Sequence, residues 1–280
     1  MDIDNKYGLK SRQEKLLEMI KVIDRKFSEK GLFYVFIYGS ALGAVREKGF
    51  IPWDDDIDIA IFREDTDLAE SALGELDYYY ETGEKHMRPS APIMHVSSVN
   101  RDSVTPDFDI KDHPEMDIWI IDRVPKGRIK RKIARLTGLA HDFFTYRQVP
   151  ATRGKLIGRV ASFFINHFSD KTLDRLQKKT LNSLIKLGRG ANFVTEAYFL
   201  KRFRVYDREL LTDVVRIPFE DMSVPVPKNY DKYLTVVYGD YMTPPPEEPA
   251  DNKEQGKGGK KKKDRGTAIT YDSRIPDHHA

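Results

Sequence analysis

The chain contains no cysteine. Disulfide staples, thiolate metal sites and a cysteine nucleophile are therefore excluded. Long apolar runs are also missing, and no stretch approaches the roughly 20 residues needed to cross a bilayer. The start, MDIDNKYGLK, is polar and lacks the apolar centre of a signal peptide, so the expected location is the cytoplasm, with at most peripheral contact at the inner face of the plasma membrane. A large excess of one charge is absent as well: 47 Lys and Arg stand against 44 Asp and Glu, a net charge of +3. Affinity for a polyanion would have to come from local clusters, and without a recognisable RNA-binding motif no nucleic-acid partner is expected. Hydrophobic residues make up 40% of the 280 positions, enough for a substantial folded core.

The order of patterns predicts a mixed α/β (α+β) protein. Leu16, Ile20, Ile23 and Phe27 recur at helical spacing before Gly31, and LFYVFIY (32–38) reads as a buried strand. Gly39-Ser40 then opens a short helical ALGAVRE segment, and Pro52 makes the stretch around Trp53 a loop leading into a strand over 56–62. A surface helix over 65–76 and strands over 91–99 and 116–121 complete a mixed sheet within residues 1–125. Beyond it, three stripes predict a helical subdomain over 126–190: Ile129, Ile133, Leu136, Ala140 and Phe143; Leu156, Val160, Phe163 and Phe164; and Leu173, Leu176, Leu184 and Leu187. VVRIPF, MSVPVP and a helix from about Asn229 form a closing segment over 191–245. Residues 246–280, with Lys260–Lys263, read as a disordered basic tail.

The most informative stretch is GSALGAVREKGFIPWDDDIDIAIF (39–62). Two carboxylates about 6 Å apart repel by roughly 3 kcal/mol at an effective dielectric near 20, so crowding them suggests a cation between them. Strand alternation would put Asp54, Asp56 and Asp58 on one face and Ile57, Ile59 and Ile61 on the other. All-oxygen donors suit Mg²⁺ or Mn²⁺. A third acid is sought on a neighbouring strand, and Asp117 at the head of MDIWII fits better than Asp122, which lies five residues on and on the opposite face. The histidines His86, His95, His113, His141 and His167 have no zinc-type spacing and are expected to be surface or packing residues.

A strand, a Gly-Ser turn and an acidic strand make up a nucleotidyltransferase-type site. Gly39 and Ser40 would cradle phosphate at the helix start, and Arg46 would reach it bidentately or else be simply exposed. Trp53 would stack on a base or a choline-like cation, or pin the loop. Asp54 would accept the proton of an attacking hydroxyl.

These residues resemble a known family. GSALGAVREKGFIPWDDDIDIAIF is similar to the signature of the LicD family, the bacterial phosphorylcholine transferases related to fukutin-type ribitol phosphate transferases. MDIWIIDRVP resembles its second acidic segment, and IPFEDMSVPVPKNYDKYLTVVYGDYMTPPPEE its closing segment. The resemblance implies a nucleotidyltransferase-like fold. It also implies transfer of a phosphorylated alcohol, typically phosphocholine from CDP-choline, to a sugar hydroxyl of a teichoic acid or lipopolysaccharide precursor. It further implies that Asp56, Asp58 and Asp117 hold the divalent metal, with Asp54 a further catalytic acid. Glu220 and Asp240 are weaker candidates. Two other functions stay open: transfer of a whole nucleotide to a small molecule, with release of pyrophosphate, and a non-catalytic binding protein of the same fold. The basic residues between Lys126 and Arg159, interleaved with aromatics, fit an interfacial helix pair or ordinary helices with one wet face equally well.

Overall fold

The computed structural model describes residues 8–82, 93–105, 108–146, 163, 167–196 and 203–244. The chain divides into two compact units, Met1–Tyr230 and Asp231–Ala280.

Helix α1 (Lys10–Glu29) forms where the apolar spacing predicts it and buries Leu16, Met19, Ile20, Ile23 and Phe27. It closes in a Schellman motif, with Leu32 N–H donating to Phe27 C=O at 2.8 Å and Gly31 N–H to Ser28 C=O at 3.1 Å. Gly31 stands at φ +66°, a conformation its missing Cβ allows. The expected seven-residue strand then shrinks to β1 (Val35–Phe36). Tyr38 at φ +46° turns the chain sharply, and helix α2 (Tyr38–Arg46) already contains Gly39-Ser40 in its first turn.

Strand β2 (Asp56–Phe62) leads through a short 3₁₀ turn into α3 (Thr66–Gly74), followed by β3 (Tyr78–Glu81), β4 (Ile93–Asn100) and β5 (Glu115–Val124). The sheet order is β1-β2-β5-β4-β3, with β2 and β5 parallel and the other neighbours in that order antiparallel. One face carries Ile57, Ile59, Ile61, Met116 and Ile118, all fully buried, so burial pins the register of both central strands. The other face of the same strands carries the acids.

Past β5 come α4 (Arg128–Tyr146), α5 (Asp170–Gly188), β6 (Phe193–Thr195), β7 (Tyr206–Asp207) and α6 (Arg208–Thr212). β6 extends the sheet along the far end of β5. Gly188 is required there: a Cβ would come within 2.2 Å of the Arg123 carbonyl oxygen. On α5, Leu173 and Leu184 are buried as expected. On α4 the expected stripe is inverted. Ile129, Ile133 and Leu136 are exposed, while Ala134 and Phe144 are buried. The packed face is built instead from Ala134, Leu139 and Phe144 together with two arginines: the Arg131 guanidinium lies 4.5 Å from the Phe193 ring and that of Arg135 lies 5.7 Å from Phe203. The stripe expected at Leu156, Val160 and Phe164 lies outside the described residues.

The hairpin β8 (Val214–Phe219) and β9 (Met222–Pro227) is a separate two-stranded sheet, as the prolines suggested. It is fastened by Phe219, whose ring meets Phe36 at 5.4 Å and Phe50 at 4.9 Å, and by Arg216, which pairs with Asp24 of α1 at 2.8 Å. Helix α7 (Tyr230–Tyr238) runs into the second unit. Within that unit Tyr241 donates to Asp231, and Asp240 accepts from the Thr243 N–H and hydroxyl. The basic tail lies outside the described residues.

Candidate active site

The parallel register sets Asp58 directly beside Asp117 and Asp56 beside Glu115. One carboxylate oxygen from each of Asp56, Asp58 and Asp117 falls within 4.8 Å of the others. Asp122 is placed differently. It is buried on the other face of β5 and takes both its oxygens to Arg63, Nε and Nη2 each at 2.7 Å.

Two neighbours hold one oxygen on each of two acids. Trp119 Nε1–H donates to Asp58 Oδ1 at 2.7 Å, and His95 Nδ1 lies 2.7 Å from Asp117 Oδ1. That leaves Oδ2 of both carboxylates for another partner, the outer-shell orientation usual around metal-binding acids. His95, expected to be a surface or packing residue, is instead buried at the cluster, and its ring nitrogen, Glu115 and Asp117 also gather within 4.8 Å. Neither contact is visible from local sequence. Trp119 shares a strand face with Asp117 by period-two alternation, a signal that could have been followed; His95 needed the β4–β5 register, which pairs it with Asp117.

The electrostatics of the cluster are costly. Burial, with repulsion from Asp54 and Asp117, pushes the Asp56 carboxyl up to about 7. Burial and the neighbouring Asp56 drive Asp58 well above the ordinary carboxylate range, against the opposing pull of Trp119. Burial and Asp55 raise Asp54 to about 6. A hard divalent cation would relieve this repulsion, and Asp56, Asp58 and Asp117 offer only oxygen ligands to it, a donor set that fits Mg²⁺ or Mn²⁺.

Asp54 sits just ahead of β2 and outside the three-acid group. Its N–H donates to the Ile51 carbonyl at 2.9 Å, and its own carbonyl accepts from Gln13 Nε2 at 2.9 Å. Arg12 adds a bond to the Asp55 carbonyl at 2.7 Å, so the start of α1 braces the acidic loop. Gly39 has a specific task here: a Cβ would lie 2.6 Å from Asp54 Oδ2. Ser40 is buried, and its Oγ accepts the Asp58 N–H at 2.8 Å, tying α2 to β2. This hydroxyl braces the acidic strand, where the sequence suggested an open phosphate cradle.

The Arg46 side chain is nearly buried. Its Nε donates to Glu47 at 2.6 Å, and its guanidinium carbon stands 6.0 Å from the Trp53 ring. Trp53 itself is 41% exposed. Tyr38, held in the left-handed region, sets its ring edge-on to Trp119 with centroids 5.0 Å apart. A non-glycine residue at positive φ costs roughly 1–3 kcal/mol, and such strain clusters at functional sites. Glu220 is engaged with the loop after α2: its carboxylate accepts the Phe50 N–H at 3.0 Å and its N–H donates to the Lys48 carbonyl at 2.8 Å. Asp240 lies in the second compact unit.

Residues 31–149 match the family described as LicD/FKTN/FKRP, nucleotidyltransferase domain. The chain is also 29% identical over 220 residues, 75% of its own length and 82% of the relative's, to the lipopolysaccharide cholinephosphotransferase LicD of Haemophilus influenzae. The matched family region contains α2, β2 and β5, and with them Asp54, Asp56, Asp58 and Asp117. Residues 31–149, with the acids they carry, are thus similar to the LicD/FKTN/FKRP nucleotidyltransferase domain.

Proposed function

We propose that this chain is a metal-dependent phosphotransferase. It moves a phosphorylated alcohol, phosphocholine from CDP-choline as first candidate, onto a sugar hydroxyl of a cell-surface glycan such as lipopolysaccharide or teichoic acid. The observation that carries the reading is the convergence of Asp56, Asp58 and Asp117 from two adjacent parallel strands. The activity named for the Haemophilus relative supports the alcohol and the acceptor class.

In this reading Asp56, Asp58 and Asp117 would hold a divalent cation, which would supply charge neutralisation for the transferring phosphoryl group. The chain's own groups do the rest. Asp54, raised to about 6 by burial, is matched to accept the proton of the acceptor hydroxyl near neutral pH. The hydroxyl oxygen forms a bond to the phosphorus that carries the alcohol, the bond from that phosphorus to the CMP oxygen breaks, and CMP leaves. Trp119 and His95 keep Asp58 and Asp117 turned toward the reacting groups. Arg46 and Trp53 border the loop before the acids, alongside Gly39 and Ser40 at the start of α2, and Trp53 offers an exposed ring face to a quaternary ammonium or a base.

The test is release of CMP from CDP-choline, CDP-ribitol and CDP-glycerol, each with a glycan extract and with or without Mg²⁺ or Mn²⁺. Metal-dependent CMP from one donor is the expected result and names the alcohol. Pyrophosphate from nucleoside triphosphates with no CMP from any donor would replace this reading with nucleotide transfer. Ligand binding without turnover would replace it with a binding protein.

A further inference from the structure

Helix α4 presents the wrong residues to solvent for an ordinary packed helix. Ile129 is 76% exposed, Ile133 47% and Leu136 67%, an outward aliphatic stripe at spacings of four and three residues. At about 100° per residue these three fall within an arc of roughly 60°. Exposed Lys132 and Arg128 flank the stripe on one side and exposed Lys130 on the other. The helix's other two early cations, Arg131 and Arg135, are turned away from the stripe and stacked on Phe193 and Phe203. The exposed cations therefore belong to the same side as the exposed aliphatics. Asp142 is the one acid of the helix, and it is buried.

We propose that this face of α4 docks the protein on an anionic lipid surface, the aliphatic stripe entering the headgroup boundary and Arg128, Lys130 and Lys132 meeting lipid phosphates. The physical basis is the combination of the two forces. An apolar stripe alone suits any covering surface, and a basic face alone suits water, but aliphatics rimmed on both sides by cations complement an acyl layer topped by negative headgroups. No described helix is long and apolar enough to cross a membrane. The docking face stands apart from the three-acid site and does not depend on the reaction assigned to it.

The test is flotation of the full chain with vesicles of phosphatidylglycerol and phosphatidylcholine, compared with phosphatidylcholine alone. Two variants separate the forces: Ile129→Gln/Ile133→Gln/Leu136→Gln, which keeps every charge, and Arg128→Gln/Lys130→Gln/Lys132→Gln, which keeps every aliphatic. All six side chains are exposed, so circular dichroism and thermal unfolding should match the wild type. Flotation with the anionic vesicles only is expected. The aliphatic variant should bind at least tenfold more weakly, and each lost cation should weaken binding about fivefold. Lys260–Lys263 of the tail are common to all three proteins and cancel in the comparison. The proposal is overturned by any of three results: no flotation of the wild type, flotation unchanged in the aliphatic variant, or a wild-type dimer in light scattering that the aliphatic variant dissolves. The last would assign the stripe to a second copy of the chain.

Discussion

Replacing Asp56 by asparagine should make the metal-free protein more stable while abolishing turnover. Burial and its acidic neighbours hold the Asp56 carboxyl at about 7 in the folded state, against roughly 3.9 in an unfolded chain. A folded-state value above the unfolded one means that the folded protein binds more protons between these limits. Stability therefore falls as pH rises from about 4 to about 7, and the full penalty is present at pH 8. At about 1.4 kcal/mol per pH unit the ceiling is roughly 4 kcal/mol. Asp56 keeps some contact with solvent, so about half of that, roughly 2 kcal/mol, is the expected gain, or about 4–8 °C in melting temperature for a domain of this size. The assay is thermal unfolding of wild type and Asp56→Asn in EDTA at pH 4.5 and pH 8, repeated with Mg²⁺ or Mn²⁺. The variant should gain only at the higher pH, and added cation should stabilise the wild type alone, by about 2.7 kcal/mol at a hundredfold excess over the dissociation constant. A variant no more stable than wild type at pH 8 in EDTA, or one stabilised by cation to the same extent, would refute the reasoning.

Two further substitutions divide the site from the scaffold. Trp119→Phe removes the N–H held by Asp58 while keeping a ring against Tyr38; Mn²⁺ affinity measured by calorimetry should fall about 10–100-fold with the fold intact, and an unchanged affinity would remove the positioning role. Arg63→Met leaves the Asp122 carboxylate buried without its bidentate partner, so urea unfolding should show a loss of about 3–5 kcal/mol with Mn²⁺ affinity unaltered.

Several features were legible because they depend on neighbours in sequence. The α1 face from Leu16 to Phe27, the alternation of Asp56 and Asp58 with Ile57 and Ile59, and the choice of Asp117 over Asp122 as the acid to set beside them all follow from helix and strand periods. The periods were less useful where packing chose an unusual partner. On α4 an aliphatic stripe at helical spacing reads as a buried face, yet arginines stacked on Phe193 and Phe203 turn it outward. The strand expected over 32–38 ends early because Tyr38 takes a left-handed conformation, a choice that local propensity disfavours and that its packing on Trp119 accompanies.

The residue order of this chain already indicated which acids share a strand face, because side-chain alternation acts over a few residues. It could not say which strands lie side by side. That pairing sets Asp117 next to Asp58, puts His95 on Asp117, sends Asp122 to Arg63 and lets Asp54 close on the bare Gly39. Those contacts join positions 15 to 59 residues apart, and only the register of the folded sheet and the helix packed against it could bring them together.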